Sequence, residues 1–135
     1  MSQPLEQYRP FGVHVDSIGV PIECPEGVWT KVAEMSISGL PNGTYIINGG
    51  LLIRSDVNNK SALARDLRNG VVGTTISISS GDPTDVIYIP FRVRYLVTDG
   101  NLVYAAEVQT QAGAGTDTVD VLGTFLDYER KLEGV

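Results

Sequence analysis

Asp85-Val86-Ile87-Tyr88-Ile89-Pro90-Phe91-Arg92-Val93-Arg94-Tyr95-Leu96-Val97-Thr98 decides the class of fold. Its residues alternate with period two. One face carries Val86, Tyr88, Pro90, Arg92 and Arg94, and the other Ile87, Ile89, Phe91, Val93 and Tyr95. Successive side chains of a strand point to opposite sides, so the second set faces a core and the two arginines face out. Asp99-Gly100 follows, a pair that tolerates positive φ, and Asn101 to Thr110 then alternates Leu102, Tyr104, Ala106 and Val108 against Val103, Ala105, Glu107 and Gln109. The spacing predicts that the two segments pair as one long hairpin.

The same reading extends outward in both directions. Thr75, Ser77 and Ser79 alternate with Ile76 and Ile78, and in Val119 to Tyr128 the residues Val119, Val121, Gly123, Phe125 and Asp127 share one side. Turn residues recur about every ten positions, as in Pro41-Asn42-Gly43, Asn69-Gly70 and Gly81-Asp82-Pro83, the spacing of a sandwich or barrel of short strands. Composition agrees: 16 Val, 10 Ile and 10 Thr stand against 7 Ala and 3 Lys, a balance that favours strands over helices. Two stretches read either way. In Thr44 to Arg54, Asn48-Gly49 could close a short hairpin or sit as a bulge in one strand; a bulge is preferred, because three-residue arms make a marginal hairpin. In Ser61 to Asn69, Leu63 and Leu67 fit a helix capped by Ser61 and Gly70 as well as they fit a strand.

The chain has 135 residues, one domain's worth, with 42% hydrophobic and 19% charged residues. Residues 1–12, with Pro4 and Pro10, read as an extended arm, and residues 13–135 as the β-sandwich domain. Leu5, Tyr8, Arg9 and Phe11 are the arm residues expected to bind a partner, since exposed apolar side chains on an extended segment gain most from burial. The net charge of −6 argues against nucleic acid and anionic lipid as partners. No signal or membrane-spanning stretch is read, so cytoplasmic production and no membrane association are expected.

No catalytic constellation stands out, and the chain is expected not to be an enzyme. His14 and Asp16 share a strand face by simple proximity, and Cys24 lacks an activating partner nearby in sequence. Asp82, Asp85, Asp99, Asp117 and Asp120 fall at loops or strand ends but lack the spacing of a calcium loop; one cysteine and one histidine cannot build a structural zinc site. Neither a metal nor a cofactor is expected. Arg54, Lys60, Arg65 and Arg68 form the tightest basic group, readable as a carboxylate site or as a solvated edge. Trp29 reads as a core or interface residue.

The order of features resembles the tumour necrosis factor-like jelly roll. The residues that carry the resemblance are Val28-Trp29-Thr30, then Leu40-Pro41-Asn42-Gly43-Thr44-Tyr45-Ile46-Ile47, and a closing Gly123-Thr124-Phe125-Leu126-Asp127-Tyr128-Glu129-Arg130. It spans Trp29 to Leu132 and includes small virion proteins of tailed bacteriophages. It implies an all-β, antiparallel jelly-roll sandwich of about eight strands and a homotrimer with aromatic residues near its threefold axis. Tyr45, Tyr88, Phe91, Tyr95, Tyr104, Phe125 and Tyr128 could serve there, although the sandwich core needs some of them. The implied role is that of a virion protein assembled in the host cytoplasm, docked on a major capsid or tail protein as capsid decoration or cement. The alternative is a receptor- or glycan-binding head-fibre or tail-tip module, reading its ligand through Asp82, Thr84, Asn101 and Asp117.

Overall fold

A computed structural model describes residues 21–55, 61–79, 86–111 and 118–131. These contain eight strands: β1 (Ile22–Cys24), β2 (Thr30–Ile37), β3 (Gly43–Ser55), β4 (Ser61–Arg68), β5 (Val71–Ser79), β6 (Val86–Val97), β7 (Leu102–Thr110) and β8 (Val119–Arg130). They form two four-stranded sheets, ordered β1-β8-β3-β6 and β2-β7-β4-β5, with every strand pair antiparallel. First pairs with last, second with seventh, third with sixth and fourth with fifth. An antiparallel ribbon whose tip is β4–β5, rolled onto itself, gives this order, which is the jelly roll.

The tip is a two-residue turn in which Asn69 (φ 53°) and Gly70 (φ 80°) both take positive φ, the twist that suits a tight hairpin. The pairing that Asp99-Gly100 suggested does not form. β6 pairs with β3 and β7 with β2 and β4, so the intervening turn carries the chain from one sheet to the other. It is held from outside: Leu40 N donates to Gly100 O at 2.9 Å and Gly100 N donates to Asn42 Oδ1 at 3.1 Å. Local turn chemistry was satisfied, and long-range pairing chose the partner.

Ser61–Arg68 is a strand, bonded on both sides, with Ala62, Ala64 and Asp66 pointing inward. β3 is one continuous strand as expected, but pairing runs through Asn48-Gly49 without a register shift. The bulge lies opposite, where Leu52 and Ile53 face Gly123 and Val121, leaving Leu122 as the extra residue of β8. That slip reverses the phase of β8. Val119 and Val121 share the inward side, but beyond the bulge Thr124, Leu126 and Tyr128 are the buried set, so Phe125 and Asp127, read on one side with the valines, turn outward.

The core between the sheets is filled by Met35, Tyr45, Ile47, Leu102, Tyr104 and Leu126, all almost fully buried. Thr110 ties both sheets at one end: its Oγ1 donates to Cys24 O at 2.6 Å and accepts from Val119 N at 2.8 Å.

Candidate interaction surfaces

The outer face of the β1-β8-β3-β6 sheet is built in rows. Register places Tyr88, Leu52 and Gly123 side by side, then Pro90, Gly50 and Phe125, then Arg92, Asn48 and Asp127, then Arg94, Ile46 and Glu129. The first two rows are apolar and the last two charged. Gly50 shapes the apolar part. A Cβ there would lie 2.5 Å from Phe125 Cε1 and 2.6 Å from Tyr88 Cε1, so only glycine lets the rings of the two flanking strands close over β3. Tyr88 and Phe125 stack with centroids 6.5 Å apart and planes 10° from parallel, while Tyr88 stays half exposed. Asn48, Gly49, Pro90 and Arg92 complete a shallow hollow around them.

A second feature opens along the β5–β6 side, where the sandwich is less closed. Ile89, Phe91 and Val93 face inward yet are only half-buried, and Ile76, opposite them, is 41% exposed. With Leu51 and Ala64 they wall a cleft of about 170 Å³. Its floor is polar. Asp66, on the inward face of β4, accepts from Tyr104 Oη at 2.9 Å, from Thr74 N at 2.7 Å and from Arg68 Nε at 3.3 Å. Burial, reinforced by the Asp66 carboxylate, pushes the Tyr104 hydroxyl well above its ordinary value, so it remains a donor. Gly73, in the bulge of β5, makes the approach possible, because a Cβ there would collide with Asp66 Oδ1. The groups satisfy one another, which fits a structural knot at the cleft's end rather than a reacting centre.

The residues expected from sequence scatter. Tyr45, Tyr95, Tyr104 and Tyr128 lie in the chain's own core, Phe91 faces inward at the cleft, and of the seven only Tyr88 and Phe125 stand on an outer face. Leu5, Tyr8, Arg9 and Phe11 lie outside the described residues, as do His14, Lys60, Asp82, Thr84, Asp85 and Asp117. Asn101 and Asp99 are exposed in the β6–β7 connection. The basic group is not one cluster: Arg54 belongs to the other sheet, Arg68 pairs with Asp66, and Arg65 Nε donates to Glu107 at 2.8 Å while its guanidinium lies 4.1 Å over the Trp29 ring. Among the described residues no group of three or more His, Cys, Asp or Glu side chains is placed to hold a metal, and no helix is long and apolar enough to cross a membrane. Asp66 went unnoticed in sequence; its signal is an acid in an inward position of β4 once that segment is read as a strand.

No family model matches the chain, and no curated protein does. Solved structures do. A chain from the structure of infectious bursal disease virus, Gx strain, superposes with a TM-score of 0.65 at 14% identity, over 94% of this chain and 34% of that one. A chain of the T=1 particles derived from infectious bursal virus gives 0.58 at 15% identity, over 90% and 36%. Eiger TNF from S. frugiperda gives 0.48 at 12% identity, over 94% and 96%, a score too low to carry an argument. The protein is therefore a jelly roll whose fold is shared with the two viral chains, and it spans about a third of their length.

Proposed function

We propose that the protein is a non-enzymatic structural module of a virus particle, which forms a homotrimer and docks on other particle proteins. What carries this reading is the half-exposed Tyr88–Phe125 stack, framed by opposite charges on a rigid sheet: an apolar, oriented surface gains by being covered. The likeness to virus-derived chains over nearly the whole length supports it. The finer role, decoration or cement on a bacteriophage capsid with Leu5, Tyr8, Arg9 and Phe11 reaching a major capsid or tail protein, rests on the resemblance seen in Trp29 to Leu132 and on the arm's composition. In this reading Tyr88 and Phe125 contact the next protomer. Tyr45, Tyr95 and Tyr128 line the inner side of that sheet, Tyr104 enters the core from β7 beside Phe91, and Phe91 lies under Gly49. The experiment is molar mass in solution by light scattering across a dilution series. A mass of three protomers is expected, and a monomer at every concentration would overturn the trimer. Mass spectrometry of particles banded from the source culture tests the particle role, which absence of the protein would overturn.

A further inference from the structure

The outer face of the β1-β8-β3-β6 sheet is electrically polar across its width. Arg92 and Arg94 stand on β6, and Asp127 and Glu129 stand on β8 in the same two register rows, separated by β3. The two columns are therefore about 10 Å apart, two strand spacings. Arg94 is exposed, and the Arg92 side chain is 69% exposed. Arg92 does reach Glu129 within the protomer, but at 3.9 Å and with the Arg92 side chain largely in solvent, a distance at which the pair contributes little and most guanidinium donors stay available. Beside these columns lies the Tyr88–Phe125 stack, so apolar and charged rows are fixed to one rigid frame.

We propose that the occupant of this face is a second copy of the chain, docked so that the Arg92/Arg94 column of one protomer meets the Asp127/Glu129 column of the next. The inference rests on the self-association proposed above and names its contact. The charges require the docking direction: turned the other way, two cationic columns and two anionic columns would meet, and like charges facing each other at an interface suppress association. The pattern is also directional within each protomer, with a cationic side and an anionic side. Joined head to tail around an axis, unlike sides repeat from copy to copy and close into a ring when the rotation per step divides the circle, as it does for three. Rims of charge set register and partner choice, and the aromatic rows supply the buried area.

Charge reversal tests this in the full-length protein, with light scattering for mass and circular dichroism for fold. Arg92→Glu with Arg94→Glu makes both columns negative, and Asp127→Arg with Glu129→Arg makes both positive. Each pair is expected to weaken association about a hundredfold, and all four substitutions together, which restore unlike columns, are expected to recover the trimer. Arg92→Gln with Arg94→Gln guards against loss of fold and is expected to weaken association about tenfold with an unchanged spectrum. A wild-type trimer that keeps its mass through both reversed pairs would overturn the inference and leave the trimer standing. Reversed pairs that dissociate without rescue by the fourfold variant overturn it as well. A wild-type monomer at every concentration overturns the trimer itself, and the inference with it.

Discussion

Tyr88 and Phe125 stack across β3 because Gly50 between them has no side chain, and the next residue, Gly49, does the same on the opposite side of the sheet for Phe91 and Leu126. The two glycines thus separate what the face needs from what the core needs. An alanine Cβ at position 50 meets two rings on the solvent side, which can swing away. At position 49 it would overlap the Phe91 ring and lie 2.9 Å from Leu126 Cδ2, and Leu126 is fully buried. Overpacking a core costs about 1–3 kcal/mol. Gly49→Ala is expected to lose about 2–3 kcal/mol in urea unfolding, whereas Gly50→Ala is expected to lose about 1 kcal/mol or less but to dissociate the proposed trimer. Equal losses of stability, or a Gly50→Ala protein of unchanged mass, would count against this division.

The knot at the end of the cleft predicts an order of severity. Asp66→Ala leaves the Tyr104 hydroxyl and the Thr74 amide, both now bonded to the carboxylate, without an acceptor. Losing the acceptor of the buried Tyr104 hydroxyl and of the partly buried Thr74 amide costs about 2–3 kcal/mol. Tyr104→Phe removes one donor while the carboxylate keeps Thr74 and Arg68, at about 1 kcal/mol. Equilibrium denaturation of the two variants checks the ranking, and a Tyr104→Phe protein less stable than Asp66→Ala would reverse it.

How far the sequence reaches follows from the range of the interactions involved. The inward set Ile87, Ile89, Phe91, Val93 and Tyr95 was legible because alternation is a local property, and the structure turns the same residues inward. Leu63 and Leu67 fit two periods equally well, and bonds to β5 and β7 settled β4 as a strand. Pairing itself was not legible: β1 with β8 joins Ile22 to Val121, and nothing near either residue encodes the other. The outward turn of Phe125 depends on one unpaired residue, Leu122, whose presence no alternation count detects. The aromatic set read as an interface mixed core with face for the same reason. Type and spacing mark an aromatic as valuable, and only register tells which side of the sheet it serves.

Arg65 and the chain's single tryptophan give the outer face of the other sheet its own reporter. The guanidinium is sandwiched by function, over the Trp29 ring at 4.1 Å and bonded to Glu107 at 2.8 Å, with both charged side chains mostly buried. Arg65→Ala removes both contacts and is expected to cost about 1–2 kcal/mol and to shift the tryptophan emission. Arg65→Lys keeps the charge but not the planar group, so it should keep part of the stability and still move the emission. Emission identical to wild type in both variants would place Trp29 outside the influence of Arg65.

Cys24 predicts how stability responds to alkali. Its burial at the end of β1, with Asp120 and Glu23 adding negative charge nearby, pushes the thiol up to about 12 from an ordinary 9.0. Well below pH 9 the thiol is protonated in folded and unfolded chains alike, so its contribution is fully present. Between pH 9 and pH 12 the unfolded chain releases the proton while the folded chain retains it, and stability falls with rising pH. The loss attributable to Cys24 is about 1 kcal/mol between pH 9 and pH 10, before the buried hydroxyls of Tyr45 and Tyr104, raised from an ordinary 10.0, add to the decline in the same direction. Cys24→Ala is expected to flatten that first interval and leave the steeper fall above it. Unfolding free energies of the two proteins across pH 8 to 11 decide the matter, because an unchanged slope just above pH 9 in the alanine variant would assign the alkaline loss to other groups.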